Sequence, residues 1–236
     1  MRIFCFSLMG CVIFSLGVFS FEGFPEQPQI TEVNLSAEHV YFPVGFDSND
    51  DSEVIVGGWY PNPCYEWSHA VVNKKENSLD IQLKALKKEG MDTVCIDMAV
   101  PYLESIKLGA LKEGPWPVQV EHIKGLMHIS KPNSASIDDY LYGQVRHVSS
   151  EGKTLVLDIE LPSSCIQLDQ IKTVYNGADT CSVLPIMKKV KDVCPRDPQS
   201  VNYRLKMPEE CLATEKVLFH VRSLEGKAVN FLFKNR

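Results

Sequence analysis

No run of lysines and arginines long enough to form a basic stripe occurs in this chain, and its net charge is −6. Nucleic acid is therefore excluded as an expected partner, because phosphate binding needs clustered cations. There is no G-x-S-x-G elbow, no H-x-x-x-H and no H-E-x-x-H. The residue patterns that announce a serine hydrolase or a zinc enzyme are thus missing. The cysteines include no C-x2-C or C-x4-C pair, which argues against structural zinc. Beyond the N-terminus, no apolar run is long enough to span a membrane. No cofactor is expected.

The first twenty residues, MRIFCFSLMGCVIFSLGVFS, hold one cation followed by an almost unbroken apolar stretch. That layout reads as a secretory signal peptide over residues 1–20, with Val18 and Ser20 preceding a cut before Phe21. Two alternatives stay open. Leu8-Met9-Gly10-Cys11 has the look of a lipoprotein box, which would tie the chain to a membrane through a lipid on Cys11, and the apolar run could also be retained as an anchor. Removing residues 1–20 takes away Arg2 alone, leaving 23 basic against 30 acidic residues, or −7. The expected location is accordingly periplasmic, outer-membrane-associated or secreted.

Six further cysteines, Cys64, Cys95, Cys165, Cys181, Cys194 and Cys211, form an even set behind an export signal, and so predict disulfides. The chain also matches itself at a shift of about 101 residues. Pro61 falls on Pro162, Cys64 on Cys165, Leu83 on Leu184 and Lys87-Lys88 on Lys188-Lys189. After a two-residue gap that is later restored, Val100 meets Val201, Tyr102 meets Tyr203, Val120 meets Val221 and Gly125 meets Gly226. Inside the gap, Val94-Cys95 meets Val193-Cys194. A period this long fits a duplicated domain rather than a solenoid. If duplicated cysteines keep duplicated partners, Cys64 pairs with Cys95, Cys165 with Cys194, and Cys181 with Cys211. Pairing Cys165 with Cys181 and Cys194 with Cys211 is the alternative.

Local patterning is β throughout. Glu53–Trp59, Leu79–Leu83, Val118–Ile123, Tyr142–Val148, Thr154–Ile159 and Ala228–Phe233 alternate or run apolar at strand length, separated by Gly and Asn turns. Ile81–Lys88 has some helical character, but its repeat counterpart holds Pro185, so a strand is predicted there. The expected fold is all-β: two tandem, internally repeated immunoglobulin-like β-sandwich domains with disulfides. Residues 21–52 would form a leader and first strand and 53–130 the first sandwich. A polar, flexible linker would cover 131–136 and the second sandwich 137–236.

Tyr60-Pro61-Asn62-Pro63-Cys64-Tyr65-Glu66, with Val94-Cys95, Val100-Pro101-Tyr102, Leu108-Gly109 and the Gly114–Val120 segment, resembles uncharacterised exported bacterial β-sandwich proteins. The resemblance covers about residues 54–130 and departs at Trp116, where a tyrosine is usual. It implies an immunoglobulin-like sandwich in an envelope or secreted protein, and it carries no catalytic residues.

Candidate sites are few. Trp116, between Pro115 and Pro117, reads as an exposed anchor, with Tyr60 on the same candidate binding surface, while Trp67 reads as packing on a bridge in the core. Pro195-Arg196-Asp197-Pro198 beside Cys194 reads either as a rigid bait loop presenting Arg196 or as an ordinary turn. Asp47–Glu53 has calcium-loop-like oxygen spacing, but lacks the glycine at the sixth position and has Gly58 where a bidentate Glu belongs, so a solvated turn is expected. His122 and His220 lie on predicted strands as exposed or hydrogen-bonded side chains. The function expected is a non-catalytic binding or structural module whose partner is another envelope or extracellular protein. The competing classes are a protease inhibitor and a glycan-directed enzyme.

Overall fold

The structure, a computed structural model, describes residues 29–90 and 94–235. The signal peptide, the Cys11 box and residues 21–28 of the leader lie outside the described residues.

The N-terminal half folds as β1 (Gln29–Leu35), β2 (His39–Tyr41), β3 (Phe46–Asp47), β4 (Ser52–Tyr60), β5 (Tyr65–Lys75), β6 (Ser78–Glu89), β7 (Val100–Gly109), β8 (Gly114–Val120) and β9 (Ile123–Ser130). The C-terminal half contributes β10 (Leu141–Tyr142), β11 (Gln144–Glu151), β12 (Thr154–Leu161), β13 (Ile166–Tyr175), β14 (Thr180–Lys189), β15 (Gln199–Lys206), β16 (Lys216–Arg222) and β17 (Ala228–Lys234). A 3-10 turn spans Glu210–Leu212.

These strands make four sheets. In the first, β6 pairs with β5 on one side and with β1 and β8 on the other, and β9 and β3 follow. The second is β2-β4-β7. The third centres on β14, flanked by β13 on one side and by β10 and β16 on the other, with β17 beyond. The fourth is β11-β12-β15. Val54, Val56, Leu79, Ile81, Leu83, Trp116, Val118 and Val120 fill the core between the first and second sheets. Leu155, Leu157, Ile159, Cys181, Val183, Val217, Phe219 and Val221 fill the core between the third and fourth.

The sandwiches are then stacked on each other. Alternation places Ile55 on the outer face of the second sheet, with Tyr41 and Leu103 from its neighbours. Across from them, Leu218 and Leu232 stand on the outer face of the third sheet; Tyr41, Ile55 and Leu218 make a further buried cluster, with Leu103 and Leu232 half-buried against it. The molecule is thus a four-layer stack, with its two middle sheets covered on both faces. That arrangement explains why Glu53-Val54-Ile55-Val56-Gly57-Gly58 and Val217-Leu218-Phe219-His220-Val221 are buried throughout. A strand covered on both sides has no solvent face to make polar, so its sequence runs apolar instead of alternating.

The two sandwiches share one pairing pattern: β4 with β7 and β12 with β15, β5 with β6 and β13 with β14, and β6 with β8 and β14 with β16. A bulge interrupts β5 between Trp67 and His69, and another interrupts β13 between Leu168 and Gln170. Several sequence matches need correction against this frame. The longer turn after β13 displaces the β13–β14 register by one residue relative to β5–β6, so Leu83, opposite Ala70, has Pro185, opposite Ile171, as its counterpart rather than Leu184. Tyr102, opposite Gly58, matches Val201, opposite Ile159, rather than Tyr203. Gly125 is a strand residue paired with Val118, whereas Gly226 sits in the turn after β16 at a φ of 66°.

The first sandwich also starts earlier than residue 53, because β1 pairs with β6, β2 with β4 and β3 with β9. The linker is tied down rather than flexible: Asp139 accepts bonds from the Asn133 and Ser134 amides, and Asp138 accepts one from the Gly226 amide.

Candidate functional site

Polar side chains on the two middle sheets meet in the seam. Glu53 enters from β4 and is buried. Its Oε1 accepts from Asn230 Nδ2 at 3.1 Å and lies 3.3 Å from His220 Nδ1. Its Oε2 accepts from Ser105 Oγ at 2.6 Å and is paired with Lys107. Burial opposes ionisation of this carboxyl, but the Lys107 ammonium and the Ser105 hydroxyl beside it hold Glu53 below the usual carboxylate range. His220 is 1% exposed, with Nδ1 at 2.9 Å from Asn230 Oδ1 and no partner for Nε2. Burial pushes its pKa down to about 4, against the pull of Glu53 and Asn230 and helped by repulsion from Arg222 and Lys107.

One step along β16, the Arg222 guanidinium bonds Asp50 and, at 2.8 Å, Asp138. At the other end of the seam His39 Nε2 meets Asp179 Oδ2 at 2.5 Å. Asn176 Nδ2 donates to the Phe42 carbonyl at 3.3 Å, and Ser182 Oγ accepts from the Val44 amide at 3.2 Å.

These hydrogen bonds and ion pairs tie the two sandwiches together along the seam. Ser105, Glu53 and His220 have the residue types of a hydrolase triad, yet Ser105 Oγ donates to Glu53 and not to His220, so the serine–histidine contact of such a triad is not made. Among the described residues, no group of three or more His, Cys, Asp or Glu side chains is placed to hold a metal ion.

The sequence-derived candidates scatter. Trp116 is not an exposed anchor: it is 2% exposed, and its Nε1 donates to the Lys112 carbonyl at 2.8 Å. Gly114, at a φ of 123°, turns the chain into β8 so that Pro115 and Pro117 face outward and Trp116 faces the core. Tyr60 is likewise buried, stacked on Tyr102 with ring centroids 4.9 Å apart, and leaves the candidate binding surface. The exposed tryptophan is Trp59, whose Nε1 donates to Glu38. Trp67 packs half-buried against the first core.

Asp47–Glu53 is no solvated turn. Asp47, Asp50 and Glu53 are buried, with Asp50 committed to Arg222 and to the Asp47 amide and Asp47 to the Asn49 amide. His122 lies in the exposed turn between β8 and β9 rather than on a strand. Arg196 is exposed, in a segment held by the neighbouring Asp197, which accepts from Ser163 Oγ and the Ser164 amide. The roles of Asp50, His39 and Arg222 were not singled out by sequence. The nearest signal was two charged or polar residues, His220 and Arg222, ending an otherwise apolar strand.

Disulfides join Cys64 to Cys95, Cys165 to Cys194 and Cys181 to Cys211. Beside Cys95, Val94, Ile96 and Met98 are exposed, and beside Cys194 so are Val190 and Val193. The two cystine loops lie at opposite ends of the stack. Glu53 is level with His220 and Ile55 with Leu218, so β4 and β16 run antiparallel across the seam, and β14 runs parallel to β16.

Fold and site together define a disulfide-bonded β-sandwich protein of the kind that suits an oxidising environment. A family model described as the ORF11 beta-sandwich domain matches residues 54–127, from within β4 to within β9. No curated protein and no solved structure matches the chain. No helix among the described residues is long and apolar enough to cross a membrane.

Proposed function

We propose that the chain is an exported, non-catalytic binding or structural module that joins other envelope or extracellular proteins. The observation that carries this reading is the locked four-layer stack, which holds two cystine-tethered loops with exposed apolar side chains at opposite ends. A loop pinned by a disulfide loses little conformational freedom on binding, and exposed aliphatic side chains supply contact area. Export rests on the apolar residues 1–20, with removal before Phe21 or lipid attachment at Cys11. Intact-mass measurement of the mature chain distinguishes these routes.

Crosslinking in the native cells, followed by recovery of tagged protein and mass spectrometry, tests the binding reading. A stoichiometric protein partner, lost in an Ile96→Asp or Val193→Asp variant, supports it. Recovery of the chain alone, or turnover of an envelope polymer by the purified protein, defeats it. A second reading, protease inhibition, is favoured by exposed Arg196 standing between Cys194 and the anchored Asp197. Arg196→Ala abolishing inhibition of an arginine-specific protease would establish it.

A further inference from the structure

We infer that His220 makes the seam between the two sandwiches an acid-sensitive latch, closed while the imidazole is neutral and released when it is protonated. Every element packed on His220 contributes to this behaviour. From β4 comes Glu53, the one carboxylate in reach, and its two oxygens already serve Asn230, Ser105 and Lys107. From β7 comes Lys107, a cation, and from β16 itself Arg222, a second cation. From β17 comes Asn230, whose Oδ1 meets Nδ1, and β14 brings Ser182 level with His220. From β3 the Phe46 ring sits with its centroid 5.6 Å away.

In the neutral ring, Nδ1–H donates to Asn230 and the lone pair of buried Nε2 has no hydrogen-bond partner. Adding a proton at Nε2 creates a buried charged donor with no acceptor, beside two existing cations. An unsatisfied charged donor is far costlier than an unsatisfied lone pair. The cost is relieved when the seam opens and water reaches Nε2. The folded-state pKa lies below the ordinary histidine value of 6.5, at about 4. The open state therefore binds the proton more readily, and stability of the closed seam is full above about pH 6.5 and falls as the pH drops toward about 4. The sandwiches, each closed by its own core and disulfides, stay folded through this change.

Small-angle scattering of the full disulfide-bonded chain, alongside far-ultraviolet circular dichroism, tests the latch between neutral pH and about pH 4. The expected result is a reversible increase in maximum dimension with unchanged strand signal in the wild type. His220→Gln should stay compact over the same range. Expansion of His220→Gln at the wild-type pH would overturn the inference and assign acid opening to a group other than His220. So would a wild type that stays compact to about pH 4. Should His220→Gln fail to fold, the imidazole resonances of the wild type give the same decision. They must titrate together with the expansion and more than one pH unit below an exposed histidine; titration at an ordinary midpoint with no expansion contradicts the latch.

Discussion

Arg222 and Asp50, 172 residues apart in sequence, meet through two hydrogen bonds, at 3.2 Å from Nη1 and 2.5 Å from Nη2. Both side chains are almost fully buried, and the guanidinium also lies over the Phe46 and Tyr142 rings at 5.1 and 5.8 Å. Burying two charges costs about as much as their attraction returns, so such a pair sets geometry more than it adds stability. It ties the turn before β4 to the end of β16.

Breaking this pair on one side should be costly. Asp50→Ala leaves Arg222 with Asp138 alone in a closed environment, and the expected loss is about 3–5 kcal/mol in denaturant unfolding. Replacing both partners with apolar residues, as in Asp50→Leu with Arg222→Met, should recover most of that loss. A double variant no more stable than Asp50→Ala would show that the pair does more than satisfy its own charges.

Ile55 and Leu218 are fully buried between the sandwiches, and neither belongs to a sandwich core. Ile55→Asp should therefore uncouple the two halves while each remains folded, giving two unfolding transitions where the wild type gives one. An Ile55→Asp protein that unfolds entirely at room temperature would place Ile55 within the folding core of the first sandwich.

The Cys64–Cys95 and Cys181–Cys211 bridges close loops of similar length, at separations of 31 and 30 residues. Chain entropy alone assigns each about 3–4 kcal/mol. Cys64 lies at the edge of its core, whereas both Cys181 and Cys211 are fully buried within theirs. Replacing Cys181 and Cys211 with serine buries two hydroxyls as well, so the thermal midpoint should fall further than for serines at Cys64 and Cys95. Equal midpoints would contradict the burial argument.

Trp116 and Trp59 offer a contrast on neighbouring sheets. Trp116→Ala removes a buried ring and should cost about 3–5 kcal/mol. Trp59→Ala, at 51% exposure with one bond to Glu38, should cost less than about 1 kcal/mol. Chemical denaturation of the two variants side by side checks the order.

Strand positions and the disulfide-bonded, all-β class were legible because alternation and cysteine spacing are local signals. The seam was not, although its trace is in the sequence. Gln82 and Lys84 on β6 are matched by Leu184 and Ile186 on β14, and Gln119 on β8 by His220 on β16, once the longer turn after β13 is counted. The first sheet keeps a polar outer face, while the same face of the third sheet is apolar: Leu184 and Ile186 pack there with Tyr142 and Val174, and Leu218 packs against Ile55 of the second sheet. Thr154 and Asp158 on the outer face of the fourth sheet, against Glu53 and Gly57 on the second, end the stack on the other side. A polar-to-apolar exchange confined to one face is the mark of an interface, and it becomes visible only with the correct register. Trp116 misled for a different reason. Flanking prolines read as a turn, but the pivot is the backbone of Gly114, whose conformation the side-chain pattern does not express.

Differential scanning calorimetry of the intact chain at neutral pH tests the central claim, that the two sandwiches are locked through their middle sheets into one body. A single transition whose calorimetric and van't Hoff enthalpies agree is expected. Two resolved transitions in the wild type, each with the enthalpy of one sandwich, would contradict it.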